Sequence, residues 1–144
     1  MKVVVQRVKK ATVKSQGKVF SEIGKGYLAL VGFCCDDNQE TILKMVDKLA
    51  NLRLMADEKG KMNYDLKTAR GELLIVSQFT LCADTSQRRP SFIKAMRQEE
   101  AKRWYEFFIE KLKEKGLKVK TGRFGSWMEV ELVNEGPVTI VLES

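Results

Sequence analysis

The sequence predicts an α+β domain that is strand-rich, with mostly antiparallel sheets forming a barrel-like core and two main helices. Three observations predict it. Short apolar runs of strand length recur along the chain, separated by Gly, Asn and Asp turn signals. Two longer segments, opening near Asp36 and Gln98, carry apolar residues at helical spacing. With 144 residues, 44% of them hydrophobic, and no linker or repeat, the chain makes a single domain spanning 1–144.

Residues 2–8 and 11–15 read as strands, with a turn at Gln16-Gly17 and a further strand through Ile23. Gly24 and Gly26 punctuate, and Tyr27–Phe33 is an apolar run of buried-strand length. Asp36-Asp37-Asn38 opens the first helix. Asp37 with Glu40 three residues on resembles a capping box, and Ile42, Met45, Val46, Leu49 and Leu52 supply the apolar stripe. A short strand near Arg53–Met55 leads into the polar loop ADEKGKMNYD. Glu72–Leu81 begins as a buried strand and ends in polar residues. The second helix covers Gln98–Lys115, with Ala101, Trp104, Tyr105, Phe108 and Leu112 on its apolar face and Gly116 as its stop. Met128–Val133 and Val138–Leu142 read as two strands of a hairpin turning at Asn134-Glu135-Gly136-Pro137.

Composition excludes several chemistries. There is no histidine, so a Ser-His-Asp triad, a Cys-His dyad and any His-bearing zinc site are ruled out. The three cysteines, Cys34, Cys35 and Cys82, lack CxxC spacing and read as small buried apolar residues rather than a disulfide framework. Charged and polar residues interrupt the N-terminal segment, which lacks the apolar core of a signal peptide, and no stretch is long enough to span a bilayer. The expected compartment is the cytoplasm, with no membrane partner. A net charge of +7 favours an anionic partner such as nucleic acid.

Four constellations could carry chemistry. Ser77-Gln78-Phe79-Thr80 brings hydroxyls and an amide to the end of an apolar strand, where a pocket is commonly built. Arg88-Arg89-Pro90-Ser91-Phe92 suits phosphate contact and base stacking, or is a solvated basic loop. The bond between Gly136 and Pro137 is a candidate cis peptide, and Gly136 lets a ligand approach the backbone. Gly122-Arg123-Phe124-Gly125, with Trp127 and Met128 following, brings Arg, aromatic and Met side chains together that could hold a nucleobase or simply fill core.

Taken in order, these segments resemble the D-aminoacyl-tRNA (D-tyrosyl-tRNA) deacylase family. The resemblance runs from VVQRV through EIGKG, ANLR, GKMN, SQFTL, RRPSF and TGRFG to GPVTIVLES, essentially the whole chain. It implies a homodimer that cleaves the ester of D-aminoacyl-tRNA, spares L-aminoacyl-tRNA, also releases glycine, and needs no cofactor or metal. It assigns catalysis to Ser77, Gln78, Phe79 and Thr80. It implies a cis Gly136-Pro137 segment that enters the partner's pocket, fixes the substrate amino group and excludes an L side chain. It assigns the terminal adenosine to a pocket at Phe124 and Met128. Arg88 and Arg89 are expected on tRNA phosphates. Two departures stand out: Trp127 replaces a carboxylate usual in the family, and the loop before Arg88 is one residue short.

Two catalytic schemes follow. In one, the Thr80 hydroxyl attacks the ester, which requires a base. In the other, the 2′-hydroxyl at the tRNA terminus assists water while main-chain N–H groups near Phe79 and Thr80 stabilise the oxyanion. The second is preferred, because no imidazole is present. The rival readings are a non-catalytic nucleic-acid-binding protein and an editing factor mainly for mischarged glycine.

Overall fold

The computed structural model describes all residues, 1–144. Its elements are β1 (Lys2–Ser15), β2 (Lys18–Ile23), β3 (Gly26–Gly32), α1 (Gln39–Ala50), β4 (Met55–Ala56), β5 (Met62–Tyr64), β6 (Glu72–Ser77), α2 (Gln98–Glu114), β7 (Lys118–Thr121) and β8 (Glu129–Glu143). A 3-10 turn, Phe79–Cys82, follows β6.

The main sheet runs β2-β1-β3-β6-β7, and β8 pairs with β1. The β2 end curls back onto β7: the Ser21 hydroxyl donates to Thr121 O at 2.6 Å and Lys120 Nζ to Glu22 O at 2.7 Å. The sheet is thereby nearly closed into a barrel, and the α+β class stands. Its pairing is mixed, however, since β3-β6 and β6-β7 are parallel. These strands need crossovers, which α1 and α2 occupy. They are also apolar on both faces. Tyr27, Ala29, Val31, Leu73 and Ile75 meet the helices, while Leu28, Leu74 and Val76 fill the barrel interior with Val8, Ala11 and Val13. Burial on both faces is the signature of parallel strands.

The first two predicted strands are one. β1 runs through Lys9 and Lys10 because register shifts on either side of Val8 bend it instead of ending it. The final pair is likewise one strand and not a hairpin. Both halves of β8 pair antiparallel with β1, with partners Gln6↔Thr139 and Val8↔Asn134, so Arg7 alone faces the four residues Glu135–Val138. Asn134-Glu135-Gly136-Pro137 therefore forms a wide bulge.

The α1 cap is Asn38, whose side chain accepts from Thr41 N at 3.0 Å, an interaction worth about 1 kcal/mol. Asp37 is instead occupied by the Met1 amino group and by Cys34 N. Inside the predicted polar loop, β4 and β5 form a small hairpin. α2 ends as expected at Gly116, whose φ is +83°. Burial pushes Tyr27 up to about 12, and its hydroxyl donates to Leu52 O and accepts from Leu54 N, tying the segment after α1 to β3.

The cysteine reading is corrected. Cys34 and Cys82 form a disulfide, with Cα atoms 5.6 Å apart, and Cys35 is exposed. The fold brings the end of β3 against the 3-10 turn, an adjacency that a sequence separation of 48 conceals.

Candidate active site

The site grows from the end of β6. The apolar strand delivers Ser77 and Gln78 to its C-terminal end, where the Gln78 N–H still donates to Val31 O of β3 at 2.7 Å. The chain then tightens into the 3-10 turn. Gly32 makes room for this, since a Cβ there would lie 2.8 Å from Gln78 O and 2.9 Å from Leu81 Cβ. The Cys34–Cys82 bond fastens the far end of the turn. As the first residues of a 3-10 turn, Phe79 and Thr80 have N–H groups with no partner within the chain.

Ser77, Gln78, Phe79, Thr80, Phe124 and Met128 line one cleft of about 710 Å³, with Gln98 and Ala101 of α2 on its wall and Trp127 at its edge. That volume suits a nucleoside-sized ligand. Phe124 leans on the ring of Tyr105 at 5.3 Å between centroids. The Tyr105 hydroxyl donates to Ile75 O at 2.8 Å, and its burial raises its pKa. Not one lining residue carries an ionisable group in the acid-base range. Thr80 Oγ1 accepts from Gln78 Nε2 at 2.6 Å, and an amide donor cannot take the hydroxyl proton.

Arg88 and Arg89 lie outside the cleft. They stand exposed on the loop closed by the Asp84↔Ser91 bridge. The Ser86 N–H, with Lys94 nearby, holds the Asp84 carboxyl down at about 2. The loop is coupled to the site through Phe92, whose ring meets Phe79 edge-on at 5.1 Å.

Gly136 and Pro137 are also outside this cleft, exposed on the β8 bulge, and the peptide between them is cis. Sequence reasoning missed what holds the bulge. Arg7 Nε donates to Glu135 O at 3.0 Å and Nη1 to Leu54 O at 2.7 Å. Asn134 Oδ1 accepts from Val138 N at 2.8 Å, and its Nδ2 donates to Thr139 Oγ1 at 2.9 Å. A signal for Arg7 existed: it shares the strand parity of the buried Val3 and Val5. No group of three or more Cys, Asp or Glu side chains is placed to share a metal ion. No helix is long and apolar enough to cross a membrane.

Fold and cleft together define a small barrel-like α+β protein with an uncharged, aromatic-lined cleft beside free main-chain donors. The family model described as D-Tyr-tRNA(Tyr) deacylase matches residues 4–143. The D-aminoacyl-tRNA deacylase of Brevibacillus brevis is 48% identical, with 100% of both chains covered. That of Aquifex aeolicus is also 48% identical, over 100% of this chain and 98% of its own. A solved structure described as c-Myc DNA Unwinding Element Binding Protein superposes with a TM-score of 0.94 at 42% identity, covering 100% of this chain and 99% of that one. A second, described as a probable eukaryotic D-amino acid tRNA deacylase, has a TM-score of 0.86 at 15% identity over 98% of this chain and 97% of that one, a likeness of fold. The chain belongs to the D-Tyr-tRNA(Tyr) deacylase family and is thus an ester hydrolase.

Proposed function

We propose that the protein hydrolyses D-aminoacyl-tRNA, releasing a D-amino acid and tRNA by a route in which the substrate supplies the reactive hydroxyl. The observation that carries this is the cleft itself, which has two free main-chain donors and no side chain able to act as a base. The terminal adenosine sits between Phe124 and Met128. The ester carbonyl then faces the N–H groups of Phe79 and Thr80, which stabilise the oxyanion as water adds. The adjacent 2′-hydroxyl orients and relays the water proton, so Thr80 positions without attacking. Ser77 and Gln78 complete the polar edge. No metal or cofactor enters the scheme, and the work belongs to the cytoplasm, where tRNA is charged.

Chirality is read by main-chain atoms. The Gly136-Pro137 bulge of a second copy enters the cleft, binds the substrate amino group and leaves no volume for an L side chain, while glycine passes. A filter made of backbone reads configuration and ignores side-chain identity, which reconciles strict handedness with broad range. Support for the homodimer comes from β8. Its pairing with β1 leaves the other edge open, and Val133 and Val141 are exposed along it. Arg88 and Arg89 contact tRNA phosphates.

The 42%-identical structure is named for binding a DNA element, which favours a second reading, nucleic-acid binding without catalysis. Incubation with D-tyrosyl-tRNA separates the two: release of D-tyrosine is expected, and binding without release would replace this proposal by the second.

A further inference from the structure

We infer that Trp127 is a stacking platform for the nucleotide that precedes the terminal adenosine of the RNA. This rests on the proposed reading of the cleft and adds an affinity-determining contact to it. The indole is 90% exposed, so the core gains almost nothing from it. Yet Trp127 belongs to the edge of the cleft, next to Met128, which faces inward against the barrel cluster. Its backbone is fixed. Ser126 N donates to Arg123 O at 3.2 Å, closing the turn before it, and the Ser15 hydroxyl donates to Trp127 O at 3.4 Å. β8 begins two residues later at Glu129. A large flat ring held on an ordered backbone loses little entropy on binding.

The chemistry around the ring selects a base over other occupants. The cleft is uncharged and aromatic, with Phe79 and Phe124 among its lining residues. An exposed indole at the mouth of an uncharged, aromatic-lined cleft matches the flat face of a base. If the terminal adenosine fills the space at Phe124 and Met128, a strand leaving the cleft past Met128 meets Trp127 next. The base there stacks without being read by hydrogen bonds, so this contact adds affinity and no side-chain preference.

The chain has two tryptophans, which makes the test direct. Trp104 lies on α2 against Phe107, away from the cleft lining. Trp104→Phe therefore leaves Trp127 as the sole indole reporter. In the free full-length protein its emission should be quenched readily by acrylamide. The trinucleotide 5′-CCA-3′ should protect it, whereas adenosine alone should not. In steady-state hydrolysis of D-tyrosyl-tRNA, Trp127→Ala should raise KM about 5-fold or more, the lower range for loss of one base stack, with kcat nearly unchanged. Trp127→Phe should recover most of the affinity. A Trp127 already shielded from acrylamide in the free protein would place it in a contact between copies and overturn the inference. An unchanged KM in a folded Trp127→Ala protein would do the same. A wild-type protein that releases no D-tyrosine would instead defeat the catalytic reading, and the trinucleotide titration would still decide whether Trp127 stacks.

Discussion

Gly136→Ala separates a chirality filter from a structural irregularity. The added Cβ would lie 2.7 Å from Val138 Cγ2, 3.0 Å from Val138 N and 3.2 Å from Arg7 Nη2. The valine methyl can rotate away. The Val138 nitrogen cannot, because its N–H is held by Asn134 Oδ1 at 2.8 Å within the same bulge. The native φ of +137° is also one that L residues rarely adopt, at a cost of about 1–3 kcal/mol. For a domain of this size each kcal/mol lowers the melting temperature by about 2–4 °C, so a fall of about 2–12 °C is expected. The new contacts fall within the exposed bulge, on Val138 and the end of the Arg7 side chain, and not on the core, so the protein should still fold and dimerise. The bulge must move by a few tenths of an ångström to admit the methyl group. If its carbonyls hold the substrate amino group, such a shift should lower D-tyrosyl-tRNA turnover more than about tenfold. Melting, light scattering and turnover should be measured on one preparation. Full activity in a folded Gly136→Ala dimer would refute the filter and leave enantioselectivity unexplained.

Three further outcomes are expected. Thr80→Ala should retain measurable hydrolysis while a substrate with a 2′-deoxy terminal adenosine is nearly inert; the reverse pattern in single-turnover rates would restore Thr80 as nucleophile. Replacing Arg88 and Arg89 by alanine should reduce the slope of log affinity against log salt by about 1–2 without changing the ratio of D to L hydrolysis, and filter binding across a salt series checks this. Cys82→Ser should cost about 2–4 kcal/mol of stability by reopening a loop of 48 residues, and denaturant melts of both proteins under non-reducing conditions measure it.

The site was legible where chemistry is local. An apolar strand ending in Ser77-Gln78-Phe79-Thr80 announces a strand end at a pocket, and the structure puts Phe124 and Met128 on the same cleft. Helix positions follow from apolar spacing, although Asp37 and Asn38 compete for the α1 cap on equal chemical terms and tertiary contacts decide between them. What the sequence hides is long-range partnership. The residues Asn134–Pro137 have ordinary turn chemistry, and nothing local says that β8 continues along β1. The parallel pairing was legible in retrospect, because LLIV and YLALV are apolar on both faces and an alternating strand is not. The short β7, KVKT, alternates with lysines and is recruited by its neighbours more than by its own propensity. The disulfide needs two distant chain segments to meet, which no spacing rule reports.

The central claim is that a cleft without a side-chain base hydrolyses only one hand of its substrate. The measurement is the initial rate of deacylation of D-tyrosyl-tRNA and L-tyrosyl-tRNA by the same enzyme preparation, in the presence of a metal chelator. The account predicts rapid release of D-tyrosine, L-tyrosyl-tRNA decaying no faster than in buffer, and no effect of the chelator. Equal rates on the two enantiomers, or activity abolished by chelation, would contradict it.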